Sequence, residues 1–207
     1  MVDAQELNSD KSSRFGSVYN SVVGRFTNQP DSVHEFLLRL RNASRRKLWK
    51  IGGKRVDNPP PVVVVSPGGA GSSLLLEELE KYLVVNSPTD RDGLKHIPRR
   101  PRNVSQCILL TGTPVSVVRS LKRRGYLGVH GAKMGSLLAA VGPIWIQEKL
   151  LFREIRLQRR DFERSDLPTL VVDYSELWLS LQSIGEFLGI EESRFVRDFP
   201  PQRIRRP

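Results

Sequence analysis

The chain has 207 residues, of which 39% are hydrophobic, so it is long enough to bury the core of one domain. Its formal net charge of +11 favours anionic ligands or partners such as nucleotides, nucleic acid or acidic lipid. A single cysteine excludes an intrachain disulfide, and no cysteine–histidine spacing supports a zinc site.

The first residues lack the basic start and apolar core of a signal peptide, and no uncharged apolar run approaches the length of about 18 residues that a membrane span needs. We therefore expect a cytoplasmic protein without a membrane span. Residues 1–30 are polar and are predicted to form a flexible N-terminal segment. A domain is expected over 31–198, followed by a basic tail at 199–207.

Hydrophobic periodicity predicts alternating helices and strands in the expected domain. Helices are predicted over 32–46, 72–85, 114–124, 143–164 and 177–189, and strands over 62–65, 94–97, 106–111 and 169–174. The glycine-rich stretch 126–142 gives no clear prediction. This alternation is typical of a three-layer α/β/α domain with a central, mostly parallel sheet, and we expect strands 62–65, 106–111 and 169–173 to be adjacent and parallel.

A run of small residues at 66–73 connects the four valines of the first strand to a helix rich in leucine. Glycines let backbone N–H groups crowd one point, and the start of a helix favours negative charge. The loop therefore predicts a site for a phosphate or sulfate ester. It lacks the Gly-Lys pair of the nucleotide P-loop and the third glycine of the dinucleotide fingerprint, and the alternative is a tight turn that binds nothing.

Four loops follow the predicted strands, at 66–73, 96–98, 112–114 and 173–174. Ligands of parallel sheets gather beyond the carboxyl ends of the strands. The convergence of these loops is stronger evidence for a site than any one motif.

In this order, the segments resemble the sulfotransferase family, a family of P-loop type that uses 3′-phosphoadenosine 5′-phosphosulfate (PAPS). Residues 70–73 are similar to the Ser-Gly-Thr-Thr part of the family's phosphosulfate loop, and 95–98 to its Lys-x-His-x-Pro segment, one residue tighter. Residues 112–120 keep a proline and a serine at the family's spacing. Residues 172–177 and 184–190 resemble its Tyr-Glu-Asp-Leu and Phe-Leu-Gly segments.

The resemblance implies transfer of a sulfuryl group from PAPS to a hydroxyl or amine acceptor, with no metal. His96 would act as the base, beside Lys95, and Ser120 with Arg123 or Arg124 would hold the 3′-phosphate. The loop residues would bind the phosphosulfate: Pro67, Gly68, Gly69, Ala70, Gly71, Ser72 and Ser73.

Two residues depart from the family pattern. Gly69 stands where the loop cation belongs, and Gly112 stands where an arginine grips the 3′-phosphate. Loss of such charge stabilisation typically costs about two to three powers of ten in rate. Unless other cations replace them, these changes predict a weakened or inactive enzyme. The candidate replacements are Lys95, Arg119, Arg123, Arg124 and the arginines of the tail.

Two other functional classes remain open from the residues alone. One is a non-catalytic protein that binds a nucleotide or polyanion, and the other is a nucleotide or small-molecule kinase of P-loop type. Nucleic acid is not favoured as a partner, because the chain has no aromatic-rich recognition motif. His34 and His130 are interpreted as structural.

Overall fold

The computed structural model describes residues 31–52, 54–55 and 58–202. The expected flexible segment 1–30 and residues 203–207 of the expected tail lie outside the described residues. The chain divides into two compact units, residues 1–39 and 40–207, and the sheets belong to the second unit. In the part of the chain that is described, no helix combines the length and the apolar content needed to cross a membrane.

The described residues form α/β structure in which helices follow the strands. The strands are β1 (Lys54–Arg55), β2 (Val62–Val65), β3 (Pro101–Arg102), β4 (Gln106–Thr111) and β5 (Thr169–Asp173). The helices are α1 (Asp31–Gly52), α2 (Ser72–Leu79), α3 (Pro114–Arg123), α4 (Leu127–Lys133), α5 (Leu137–Val141), α6 (Ile144–Glu163), α7 (Leu181–Leu188) and α8 (Glu192–Asp198). A 3-10 turn, Tyr174–Glu176, follows β5.

The central sheet has three parallel strands in the order β2–β4–β5. Val65 pairs with Leu109, and Thr111 pairs with Asp173, so the carboxyl ends of the three strands meet at one edge. This arrangement confirms the expected adjacency and parallel direction of the three strands. A separate two-residue parallel pair joins β1 to β3.

Helices cover both faces of this sheet because its strands are apolar on both sides. Val62, Val64 and Leu110 pack on one face with α2, α7 and α8. On the other face Cys107 and its neighbours pack against Phe162 of α6. Burial raises the pKa of the Cys107 thiol, so this residue is a structural thiol. The expected mixed α/β fold with a parallel sheet is confirmed.

The outer edge of β2 is covered by a side-chain amide rather than by a full strand. Val85 makes a single parallel bridge to Val62, and the next residue, Asn86, is 1% exposed. Its Oδ1 accepts from the N–H of Val64 at 2.7 Å, and its Nδ2 donates to the carbonyl of Val64 at 3.0 Å. The prediction of a helix to residue 85 was therefore wrong, because α2 ends at Leu79 and the chain must return to β2.

The predicted strand over residues 94–97 was also wrong, since this segment forms turns. Asp92 accepts a hydrogen bond from the N–H of Leu94, and Asp90 accepts one from the N–H of Lys95, both at 3.0 Å. These carboxylates take backbone donors that a strand would need for a ladder. One backbone bond remains with β2, from the N–H of Ser66 to the carbonyl of Lys95 at 2.8 Å.

The stretch without a clear prediction forms the short helices α4 and α5. A side chain at Gly131 of α4 would lie 2.3 Å from the backbone of Ala139 in α5, so only glycine permits this close packing. The predicted helices 114–124 and 143–164 agree closely with α3 and α6. The helix predicted from 177 begins later, at Leu181, after the 3-10 turn.

The amide of Asn86 should contribute measurably to stability. We expect Asn86→Ala to lower the free energy of unfolding by about 1–3 kcal/mol, because the buried N–H and carbonyl of Val64 both lose their partner. Denaturant titration followed by circular dichroism measures this change. Asn42→Ala, at an exposed helical position, is the control and should change stability little. Equal stability of the two variants would contradict the role of Asn86.

Candidate functional site

The glycine loop, Ser66 to Gly71, begins directly after β2 and ends at the residue before α2. Gly68, Gly69 and Gly71 have φ angles of 101°, 71° and 69°. Residues with a side chain rarely adopt such angles. Gly71 is left-handed and is followed by helical Ser72, a sequence of conformations that turns successive N–H groups toward one concave point.

Five consecutive backbone N–H groups of this loop and helix start have no hydrogen-bond acceptor among the described residues. They belong to Gly69, Ala70, Gly71, Ser72 and Ser73. In contrast, the N–H of Gly68 donates to Ser66 Oγ at 3.3 Å. Unpaired donors at a helix N-terminus create a positive potential, so the loop has the chemistry of an anion site.

Three side chains from later elements pack against the three glycines. A Cβ atom at Gly68 would lie 2.1 Å from His130 Cε1, and one at Gly71 would lie 2.1 Å from Tyr174 Cε2. At Gly69 it would lie 2.8 Å from Arg124 Nη2. Gly68 and Gly71 are therefore needed for a contact as well as for their backbone angles, whereas at Gly69 the backbone angle is the stronger requirement. A lysine at position 69 would displace Arg124.

The serines of the loop are held by side chains within the site. The hydroxyls of Ser66 and Ser72 lie 2.8 Å apart. Lys95 Nζ donates to Ser73 Oγ and to the carbonyl of Pro88. Burial lowers the pKa of Lys95, although Asp90 partly opposes this effect. Lys95 thus connects the start of α2 to the turn before His96.

His96 is 7% exposed and lies beside the loop in a defined tautomer. Its Nδ1 is 2.9 Å from the carbonyl oxygen of Ser66. Because a carbonyl can only accept, Nδ1 carries the hydrogen and Nε2 carries the lone pair. Burial lowers the pKa of His96 to about 4, and the charge of Lys133 adds to this effect. At neutral pH the imidazole is uncharged and able to accept a proton.

A second histidine, His130, joins this site although the sequence interpretation left it as structural. Its Nδ1 donates to the carbonyl of Pro67 at 3.1 Å, and its ring meets that of His96 edge to face, with centroids 4.8 Å apart. Burial lowers the pKa of His130 well below its usual value, with His96 the next cause. No local pattern around residue 130 indicates this role, because the contact joins distant parts of the chain.

Cationic side chains surround the two histidines. Arg46 of α1 donates to the carbonyl of His96 at 3.1 Å, and Lys133 of α4 forms a 2.7 Å ion pair with Asp90. Burial alone would raise the pKa of the Asp90 carboxyl, but His96, Lys133 and Arg46 lower it below its usual value. Burial and the charge of Lys133 favour a neutral His96, and Asp90 opposes them only in part.

Among the candidate replacement cations, Arg124 is brought directly to the loop. Its Nε donates to the carbonyl of Ser120 at 3.2 Å, and its guanidinium lies over the Tyr126 ring at 5.6 Å. The Cβ of a side chain at Gly69 would lie 3.5 Å from Ser120 Oγ, so Ser120 also borders the loop. In the described part of the chain, Arg123 has no hydrogen bond or ion pair with the loop.

The other expected positions lie apart from the glycine loop. Arg119 lines a separate groove of about 450 Å³ between α3 and α6. Gly112, at the end of β4, faces Ser116 and Val117 of α3, so no cation occupies the space of its missing side chain. The arginines of the tail lie outside the described residues. Within residues 58–202, no group of three or more His, Cys, Asp or Glu side chains could hold a metal ion.

Comparison of the chain with models of known protein families, with curated proteins and with solved structures finds no match. The interpretation of the site therefore depends on its own residues and geometry.

The two buried histidines should make the protein less stable in acid. The unfolded chain takes up a proton on His96 near pH 6.5, whereas the folded protein does so only near pH 4, so unfolding binds protons between these values. We expect the free energy of unfolding to fall as the pH decreases from 7 to 4.5, by up to about 3 kcal/mol for His96 at about 1.4 kcal/mol per pKa unit.

Denaturant titrations at several pH values test this expectation. His96→Asn, whose amide can still donate to Ser66, should reduce the slope of the curve and leave the part that His130 contributes, while exposed Arg123→Ala should leave its shape unchanged. A wild-type stability that is constant between pH 4.5 and 7 would contradict the buried, neutral state of His96.

Proposed function

We propose that this protein is a sulfotransferase-like enzyme that binds PAPS at the glycine loop and transfers its sulfuryl group to a hydroxyl or amine acceptor. The observation that carries the proposal is the set of five unpaired N–H donors from Gly69 to Ser73, bordered by Arg124. Amide donors and a guanidinium at one point suit a doubly charged oxyanion. The order of the segments along the chain adds support through their resemblance to the sulfotransferase family.

Arg124 is proposed to supply the loop cation that Gly69 lacks. Its Nη2 lies in the space that a side chain at position 69 would enter. In sulfuryl transfer, negative charge develops on the phosphate oxygen that leaves sulfur, and a fixed cation there lowers the barrier. The contact with the Tyr126 ring and the hydrogen bond to Ser120 hold the guanidinium in position.

His96 is proposed to accept the proton of the acceptor. The acceptor oxygen or nitrogen forms a bond to sulfur, the bond from sulfur to the phosphate oxygen breaks, and the acceptor's proton passes to Nε2 of His96. The hydrogen bond from Nδ1 to Ser66 keeps Nε2 in the basic form. A pKa of about 4 makes this imidazole a weak base, so we expect slow turnover.

Ser120, with Arg124, is proposed to bind the 3′-phosphate of the nucleotide. Ser120 borders the loop on the side of Gly69, at the family's spacing from Pro114. Arg123 has no comparable contact and is a weaker candidate. Lys95 acts by positioning Ser73 and the turn that carries His96.

A non-catalytic nucleotide-binding protein is the second candidate function. Its support is the burial of both imidazoles, since His96 is 7% and His130 is 8% exposed. An acceptor needs a path to Nε2, whereas a nucleotide phosphate needs only the loop amides. Binding and turnover therefore need separate measurements.

Nucleotide binding should depend on Arg124 but not on its neighbour. We expect 3′-phosphoadenosine 5′-phosphate to raise the melting temperature more than AMP does, because bound ligand stabilises only the folded state. Arg124→Ala should weaken binding by about tenfold or more, in line with loss of a charge-assisted hydrogen bond. Calorimetric titration measures both affinities, with exposed Arg123→Ala as the matched control. Equal losses in the two variants would remove Arg124 from the proposed site.

Turnover should depend on His96 while nucleotide binding does not. For an active wild type, His96→Asn should lower kcat by about two to four powers of ten, the usual contribution of a general base. Affinity for 3′-phosphoadenosine 5′-phosphate should change little, because the asparagine amide can replace the hydrogen bond from His96 Nδ1 to the carbonyl of Ser66. Full turnover in this variant would exclude His96 as the base. A wild type that binds the nucleotide but transfers no sulfuryl group would support the non-catalytic alternative.

A further inference from the structure

A groove lined by arginines lies beside the carboxyl end of β4 and shares none of its lining residues with the glycine loop. Its volume is about 360 Å³, within the range of about 300–1,000 Å³ that is typical of ligand pockets. Thr111, Gly112 and Pro114 form one side. We name it the arginine groove after the four arginines on the other side, three in α6 and one directly after it: Arg156, Arg159, Arg160 and Arg164.

The positive charge of this groove is only partly neutralised. Glu163 is the carboxylate in its lining, and its Oε1 is taken by Arg159 Nε at 2.7 Å. The guanidinium groups of Arg156, Arg160 and Arg164 form no ion pair or hydrogen bond with any residue that the structure describes. Arg156 stacks over the Phe152 ring at 5.4 Å, which orders its guanidinium in advance.

The spacing of these arginines indicates more than one anionic group on the ligand. Arg164 directly follows α6 and is eight residues after Arg156, a separation of about 12 Å at the helical rise of about 1.5 Å per residue. A ligand with anionic groups along the groove would contact more of these guanidinium groups than one tetrahedral oxyanion. A phosphate ester carries about −1.5 to −2 charges, so two such groups balance the three unpaired guanidinium groups.

The lining argues against single-stranded nucleic acid as the ligand. Base recognition in such sites depends on stacking against aromatic side chains. Among the described residues, none that lines the arginine groove is aromatic. The lining therefore favours a compact, highly charged ligand.

We propose that the arginine groove is a second anion-binding site, for a small ligand that carries at least two phosphate groups. It acts independently of the glycine loop. This inference does not need the chain to be a sulfotransferase, because it follows from the charge and shape of α6 and the end of β4.

Calorimetric titration with inorganic tripolyphosphate and with inorganic phosphate, at constant physiological ionic strength, tests the inference. We expect tripolyphosphate to bind at least tenfold more tightly than phosphate. The double variant Arg160→Gln and Arg164→Gln should weaken tripolyphosphate binding by tenfold or more. Both residues are exposed, so the variant should fold, and its circular dichroism spectrum verifies this.

The matched control is the double variant Lys149→Gln and Arg153→Gln, which removes the same charge from α6 outside the arginine groove. It should retain wild-type affinity for tripolyphosphate. If both double variants lost the same affinity for tripolyphosphate, net charge alone would explain the loss, and the proposal would be overturned. Weakening in Arg124→Ala alone would assign tripolyphosphate to the glycine loop and also overturn it. The variant Arg160→Gln and Arg164→Gln should keep wild-type affinity for 3′-phosphoadenosine 5′-phosphate, which is proposed to bind at the glycine loop. This measurement distinguishes a failure of the second site from a failure of the proposed function.

Discussion

Two carbonyl groups of the glycine loop, those of Ser66 and Pro67, each accept a hydrogen bond from a buried imidazole. Much of the site depends on this pair of interactions. They hold the two consecutive carbonyls against the imidazoles and involve none of the N–H groups from Gly69 to Ser73. They also fix Nδ1 of both His96 and His130 as the donor. One constraint thus sets the path of the loop and the tautomer of the proposed base.

The surrounding charges act on the same pair of rings. Lys95, Lys133 and Arg46 come from three separate segments, and Asp90 is the carboxylate among them. Protonation of either imidazole would add a charge to a buried, already cationic region, so both stay neutral. The same electrostatics that attract an anionic ligand therefore also weaken His96 as a base. Binding and proton transfer place opposite demands on this site.

The sheet could be predicted from the sequence because each of its strands is a short apolar run with a clear boundary. The four valines of β2 admit few alternatives, and the loops at the ends of the strands follow from them. Residues 94–97 could not be assigned in this way. Leu94 and Ile97, followed by Pro98, suggest a short strand, but the carboxylates of Asp90 and Asp92 bind the backbone of this segment instead. Hydrogen bonds from side chains to the backbone leave no hydrophobic pattern in the sequence, so they could not be predicted from it.

The residues around the loop divide along similar lines. His96 was identified because it lies in a short motif, and the glycines because their spacing is local. His130 and Arg124 reach the loop from α4 and from the end of α3, and Tyr174 from the turn after β5. The sequence alone makes Arg124 one of several candidate cations and does not distinguish it from the others. Arg124 is distinguished by its position beside Gly69, which depends on the packing of the folded chain.

The amide of Asn86 has a consequence for how the molecule meets other copies of itself. An exposed strand edge can recruit a strand from another chain and extend the sheet. At β2, the central backbone groups are already taken by a side chain that offers no ladder of its own. The side chain of Asn86 therefore occupies the edge of β2, and a strand from another chain cannot pair with Val64 there. The same two hydrogen bonds thus stabilise the fold and occupy this edge of the sheet.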